Sequence, residues 1–240
     1  MSEGQTGKRI KISLWMLLVP FLFLFAGLGV WQLNRAEEKR DVLTAWGEPT
    51  ETISELRLES LKQFSSVRLE GVFDAESVFL LDNRTRQGKV GYEVLALFYP
   101  NGSEAGVLIN LGWTLADSDR NRLPHIELPM HTVTLMGRLF EITPMFTLGE
   151  DVWRLDWPKR IQQIDVPRIE QLAGVPVHDW QVRLDEPLIA GLKTEWQVTA
   201  MPPEKHIAYA IQWFALAAVL VVWMGWYYGW QAAQGGKHGT

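Results

Sequence analysis

The sequence predicts a membrane protein in which two transmembrane α-helices flank a mainly antiparallel β domain, barrel- or sandwich-like, with few short helices. Three observations lead there. Long apolar runs lie near both ends of the 240-residue chain, the stretch between them is acidic, and that stretch breaks into short segments rich in Val, Leu and Phe bounded by turn residues. The chain-wide averages of 47% hydrophobic, 21% charged and a mean hydropathy of −0.04 resemble a soluble protein only because unlike parts cancel.

The first run, Ile12–Val30, has 19 residues and no charge. At the rise of an α-helix it reaches about 28 Å, enough to span a bilayer. Pro20 is tolerable there because neighbouring groups in a membrane helix take over the freed carbonyl. A cleaved signal peptide is the rival reading, since Lys8, Arg9 and Lys11 make a basic leader and Ala26 and Gly27 are small. The run is longer than the apolar region of a typical signal peptide, and no clear A-x-A site follows it. The second run, Ile207–Tyr228, has 22 residues and one plainly polar side chain, Gln212.

Orientation follows from Lys8, Arg9 and Lys11, which the positive-inside rule keeps in the cytoplasm. The expected order is a cytoplasmic N-terminus (1–11), a first span (12–30), a β-rich domain (31–205), a second span (206–228) and a cytoplasmic tail (229–240). The middle then lies in the periplasm of a bacterium, with the chain in the inner membrane, or in the intermembrane space of a mitochondrion. Trp15 and Trp31 bracket the first span, and Trp223, Trp226, Tyr227, Tyr228 and Trp230 crowd the end of the second as interfacial anchors.

The insert holds 19 Lys+Arg against 27 Asp+Glu, a formal charge of −8. Nucleic acid is therefore not expected as a partner. Strands are expected over Val67–Phe73, Val78–Leu81, Tyr92–Phe98, Val107–Leu111, Thr132–Met136, Val177–Leu184 and Trp196–Thr199, about seven or eight in all. The clearest hairpin joins Tyr92–Phe98 to Gly106–Leu111 across Pro100-Asn101-Gly102-Ser103, where Asn and Gly accept positive φ. The first helix is expected to continue past the membrane until Gly47-Glu48-Pro49 stops it. Asp165 caps a short helix over Pro167–Leu172 that ends at Gly174.

The absence of cysteine removes disulfides, thiolate metal sites, iron–sulfur clusters and cysteine nucleophiles together. The sequence also lacks a G-x-S-x-G elbow, an H-E-x-x-H helix, a Walker loop and a G-x-G-x-x-G turn. Asp117 and Asp119 read as a solvated loop, and Asn83-Arg84-Thr85 and Asn101-Gly102-Ser103 as turns. His125, His131 and His178 have no partner at metal spacing, and His238 lies in a Gly-rich tail. His206 differs, because it opens the second span directly after Pro202-Pro203-Glu204-Lys205, and helical steps place Tyr209, Ala210 and Trp213 on its face. A neutral imidazole there can ligate iron, with an apolar macrocycle against Tyr209 and Trp213 and its carboxylates toward Lys205 and Arg35. A histidine that merely flanks a span is the simpler reading of these residues alone.

Several segments taken together resemble the Surf1 proteins (Surfeit locus protein 1 and bacterial SURF1-like proteins). They are Gly29-Val30-Trp31-Gln32-Leu33 with Arg35; Gly71-Val72-Phe73; Leu81-Asp82-Asn83-Arg84; Gly91-Tyr92-Glu93-Val94-Leu95; Asn110 with Gly112-Trp113; Arg122-Leu123-Pro124; and His206 leading into Tyr209-Ala210-Ile211-Gln212-Trp213-Phe214. The chain departs from the family in carrying Leu111 where an arginine is common between the asparagine and the glycine. The resemblance implies an assembly factor, not an enzyme, for the heme–copper terminal oxidase, cytochrome c oxidase, acting when heme a enters the catalytic subunit. Implied partners are that subunit, heme A synthase and the lipid bilayer. The implied heme ligand falls on His206, with Trp31, Gln32, Arg35, Tyr209 and Trp213 as the pocket wall. A membrane-tethered scaffold that steadies an assembly intermediate without binding a cofactor is the alternative.

Overall fold

A computed structural model describes residues 3–48, 62–143, 153 and 155–235. Pro49 and His238 lie outside the described residues. The chain divides into two compact units, residues 1–47 with 197–240 and residues 48–196.

The first unit is a pair of long helices, α1 (Glu3–Gly47) and α3 (Pro203–Gly235). Both are long and apolar enough to cross a membrane. Their shielded residues follow steps of four and three, Leu18, Leu22, Phe25, Gly29, Gln32 and Ala36 on α1 and His206, Ala210, Trp213, Ala217 and Leu220 on α3. A repeat averaging 3.5 residues is the seam of a left-handed helix pair. Phe25 stacks on Trp213 with centroids 5.7 Å apart, while Gln32 meets His206 at 2.7 Å, so residues seven apart on one helix meet residues seven apart on the other in reverse order. The helices are antiparallel. Small residues at Gly29, Ala36, Ala210 and Ala217 let the backbones approach closely, as is usual where helices pack in lipid.

The second unit is built on six strands among the described residues: β1 (Ser66–Arg86), β2 (Lys89–Pro100), β3 (Gly106–Leu115), β4 (Val133–Glu141), β5 (Lys159–Ile161) and β6 (Val177–Leu184). The sheet order is β2-β3-β6-β4-β1-β5, and β2 also pairs with β1. Five strands thus close into a barrel, with β5 added outside on β1. The expectation of a mainly antiparallel sheet needs correction to a mixed one, because β3–β6 and β1–β5 are parallel. Against the expected seven or eight strands, the described residues form six. Val67–Phe73 and Val78–Leu81 are one strand, β1, broken in register between Phe73 and Val78. There the Asp74 carboxylate accepts from the Glu76 amide and the Ser77 hydroxyl, at 3.1 and 2.9 Å, closing a bulge that bends the strand. Asn83-Arg84-Thr85 is not a turn but the end of the same strand, Asn83 taking φ 57° at a second register shift. Trp196–Thr199 is not a strand; only Lys193 nearby makes an isolated bridge, to Trp113.

The hairpin across Pro100–Ser103 pairs β2 with β3 as expected, though Gly102 alone takes positive φ in it, at 78°. The helix expected over Pro167–Leu172 is α2 (Val166–Ala173), with the Asp165 side chain accepting from the Arg168 amide and Gly174 in the left-handed conformation at its end. Such a cap is worth about 1 kcal/mol.

One cluster, including Leu69, Leu80, Val94, Phe98, Ile109, Leu111 and Val182, fills the barrel. A second forms on the outer face of the sheet, where α2 and β5 bring Val166, Ile169 and Ile161 against Phe79, Leu95, Leu97 and Leu108. Strand β2 is therefore covered on both faces over Val94–Phe98, which explains its unbroken apolar run. Where α2 stops covering that outer face, the strands carry polar residues: Glu93, Asn110, Gln181, Arg84 and Arg183.

Candidate functional site

In the helix pair, His206 stands on the first turns of α3 and is buried, only 8% exposed. Its Nδ1 lies 2.7 Å from Gln32 Oε1 across the seam. With the amide oxygen accepting, Nδ1 carries the ring proton and Nε2 is left as the basic nitrogen, the one able to ligate a metal. Among the described residues only Gln32 bonds the ring, and it does so at Nδ1. Gly29 lies one turn from Gln32, and a Cβ there would meet the Phe214 ring at 2.6 Å, so the close approach of the two helices depends on it.

The structure brings His206 and Gln32 together and spreads the other expected site residues. Trp213 turns into the seam on Phe25. Tyr209 and Trp31 are exposed, at 43% and 51%. Arg35 reaches over the Trp31 ring at 5.9 Å and bonds Glu38 at 2.5 Å, on the solvent-facing side of α1. Among the described residues no three His, Cys, Asp or Glu side chains gather to hold a bare metal ion. Were heme held here, its macrocycle would already carry the iron, and His206 would be the one side chain needed to bind it.

The β domain uses several of its singular residues as architecture. Gly91 is obligatory, since a Cβ there would meet Thr114 O at 2.1 Å and the Trp113 ring at 2.5 Å. Trp113 Nε1 donates to Arg84 O at 2.7 Å, tying β3 to β1. Asp82 accepts from Arg120 Nη2 at 2.5 and 2.7 Å and faces Arg160 at 3.8 Å. This contact raises the Arg120 pKa, chiefly through the Asp82 hydrogen bond. Arg120 in turn lies over the ring of Tyr92, which is buried in the core. Asp117 and Asp119 lie in a loop, where Asp117 accepts from the Asp119 amide at 2.8 Å.

Residues 19–218 match the SURF1 family. The chain belongs to the SURF1 family. No curated protein shows a significant match to it. SURF1-family membership implies a role in cytochrome c oxidase assembly, and the family is one of assembly factors. The family's arginine position, here Leu111, is wholly buried in the barrel interior, so the leucine belongs to the core. Sequence reasoning named Gln32 as a pocket residue but could not pair it with a residue 174 positions away. It also missed the gathering of Arg84 and Arg86, on β1, with Arg183, on β6, because the two strands are far apart in sequence.

Proposed function

We propose that this SURF1-family protein holds heme a for insertion into the catalytic subunit of cytochrome c oxidase, with His206 as the residue that would bind its iron. The observation that carries the reading is the His206–Gln32 contact, which fixes one ring nitrogen as donor and leaves the other for iron. Tyr209 and Trp31, exposed beside these residues in sequence, offer apolar surface to a macrocycle, and Arg35 offers charge to its carboxylates. Membrane insertion of α1 and α3, both termini cytoplasmic and the barrel outside, belongs to the same proposal. It is supported by the apolar side chains exposed along both helices and by Lys8, Arg9 and Lys11. The catalytic subunit receives the heme, and heme A synthase is the proposed donor.

The test is the absorbance spectrum of detergent-purified protein from cells making heme a. A Soret band is expected in the wild type and its loss in His206→Ala, with Gln32→Leu shifting or weakening the band. A wild-type protein without any band points instead to a scaffold that steadies an assembly intermediate.

A further inference from the structure

The β domain contains a second polar site that the heme reading does not use. A cavity of about 190 Å³ opens beside the outer face of the sheet, lined by Arg84, Arg183, Gln163, Gln181, Thr143 and Glu141. Arg183 Nε and Arg84 Nε are both buried there with no hydrogen-bond partner among the described residues. Burial of a donor without an acceptor is costly, and most native proteins avoid it. The Arg183 guanidinium is held by packing: it lies 3.9 Å from the Phe140 ring centroid and 5.1 Å from that of Trp196. Arg86 covers Trp196 from 5.3 Å and is fixed by the Glu195 carbonyl at 2.7 Å. Trp196 donates to Leu184 O at 2.7 Å, so the cations are set by a rigid frame.

The electrostatics are unbalanced. Burial holds Arg183 below the ordinary arginine range, Glu93 opposes that, and Arg84 and Arg86 reinforce it. Glu93 is already engaged with Asn110 Nδ2 at 2.8 Å, and Asn110 with Gln181 at 3.2 Å. Among the residues that line the cavity, two guanidinium groups, Arg84 and Arg183, stand against one carboxylate, Glu141, which leaves one positive charge in excess, while Arg86 outside the lining feels Glu93 and Glu195.

We propose that this cavity binds a carboxylate, either a small organic acid or the carboxylate of a peptide chain. Guanidinium forks match the planar carboxylate, the amides of Gln163 and Gln181 and the Thr143 hydroxyl supply neutral donors, and a single excess charge suits a monoanion better than a phosphate dianion. The cavity is too small for more than the acid group and a few attached carbons.

Calorimetric titration of the full-length protein in detergent tests this, with acetate, inorganic phosphate, and a short peptide with a free or an amidated C-terminus as probes. Saturable binding of acetate or the free peptide is expected, weakened about tenfold by Arg84→Gln and less by Gln163→Leu, with phosphate weaker. Peptide binding much tighter than acetate and lost on amidation assigns the carboxylate to a chain terminus; similar affinities assign it to a small acid. Circular dichroism and the unfolding midpoint show that each variant folds. Affinity unchanged in both folded variants, a preference for phosphate, or no saturable binding of acetate or peptide overturns the proposal. None of these outcomes depends on heme.

Discussion

The helix pair and the barrel put their side chains in opposite places. In the barrel, Leu80, Val94, Phe98 and Ile109 point inward and are fully buried, while arginines and carboxylates occupy the outer face. In the helix pair, Phe23 and Val222 are each 72% exposed, and the seam holds Gln32, His206 and small residues beside the stacked Phe25 and Trp213. A barrel of this kind is made by water, which drives apolar groups together. The helix pair has the distribution expected of a solvent that is itself apolar, where close packing and hydrogen bonds hold helices together. The difference also separates two ways of placing a polar group. His206 is bonded across a seam that would otherwise leave it bare, whereas Arg183 is lodged against aromatic faces with its Nε unanswered by any described residue.

Glycines give the largest contrast. Gly91→Ala drives a Cβ into the backbone carbonyl of Thr114, which cannot move without breaking the β2–β3 ladder, so a loss of about 3 kcal/mol or more is expected. Gly29→Ala meets only the Phe214 ring, which is 37% exposed and free to turn, and is expected to cost about 1 kcal/mol. Denaturant unfolding in detergent, followed separately for helix and barrel signals, measures both; equal losses would remove the distinction between a rigid wall and a yielding one.

A charge on each exposed surface comes next. Val222→Lys is expected to oppose insertion by about 2.5–3.5 kcal/mol, while Met130→Lys, at an 88%-exposed position of the β domain, changes stability by less than about 0.5 kcal/mol. Membrane fractionation of both variants reads the outcome, and full membrane recovery of Val222→Lys would contradict a lipid-facing surface. Smaller again is Asp82→Asn, which leaves Arg120 and Arg160 facing each other without their anion. Because both arginines are more than a third exposed, about 1 kcal/mol is expected, read as the shift in denaturation midpoint.

The smallest effect is a pH dependence. Burial lowers the His178 pKa, against the pull of Asp179, so the folded barrel binds fewer protons there than the unfolded chain. Stability from this group is present above the unfolded value of about 6.5 and declines as pH falls through it. The unfolding midpoint of the wild type should therefore drop between neutral and mildly acid pH more steeply than that of His178→Gln; parallel curves would assign the drop elsewhere.

Legibility followed the range of the forces involved. The two apolar helices, the Pro100–Ser103 hairpin and the Asp165–Gly174 helix with both its caps rest on neighbouring residues, and all stand where the sequence places them. The bulge at Asp74–Ser77 misleads because a polar run looks like a loop unless its carboxylate is known to close onto its own strand. Asn83–Thr85 misleads for a related reason: asparagine tolerates positive φ in a strand bend as well as in a turn. β5 is three residues long, and its parallel pairing to β1 leaves no local trace. In the candidate site, the first turn of α3 was legible from Pro203 and the apolar run, but the partner of His206 and the arginine group come from contacts distant in sequence.

The long strand β1 also sets an order of events. It pairs with β2 at once, but its first residues wait for β4 at Val133–Glu141, and the wall between β3 and β4 stays open until β6 arrives at Val177–Leu184. Nearly the whole domain must leave the ribosome before the ring can shut. A nascent chain paused before Val177 would display raw strand edges on β3 and β4, which makes this interval the time when a helper protein, or a mispairing neighbour, has most to grip.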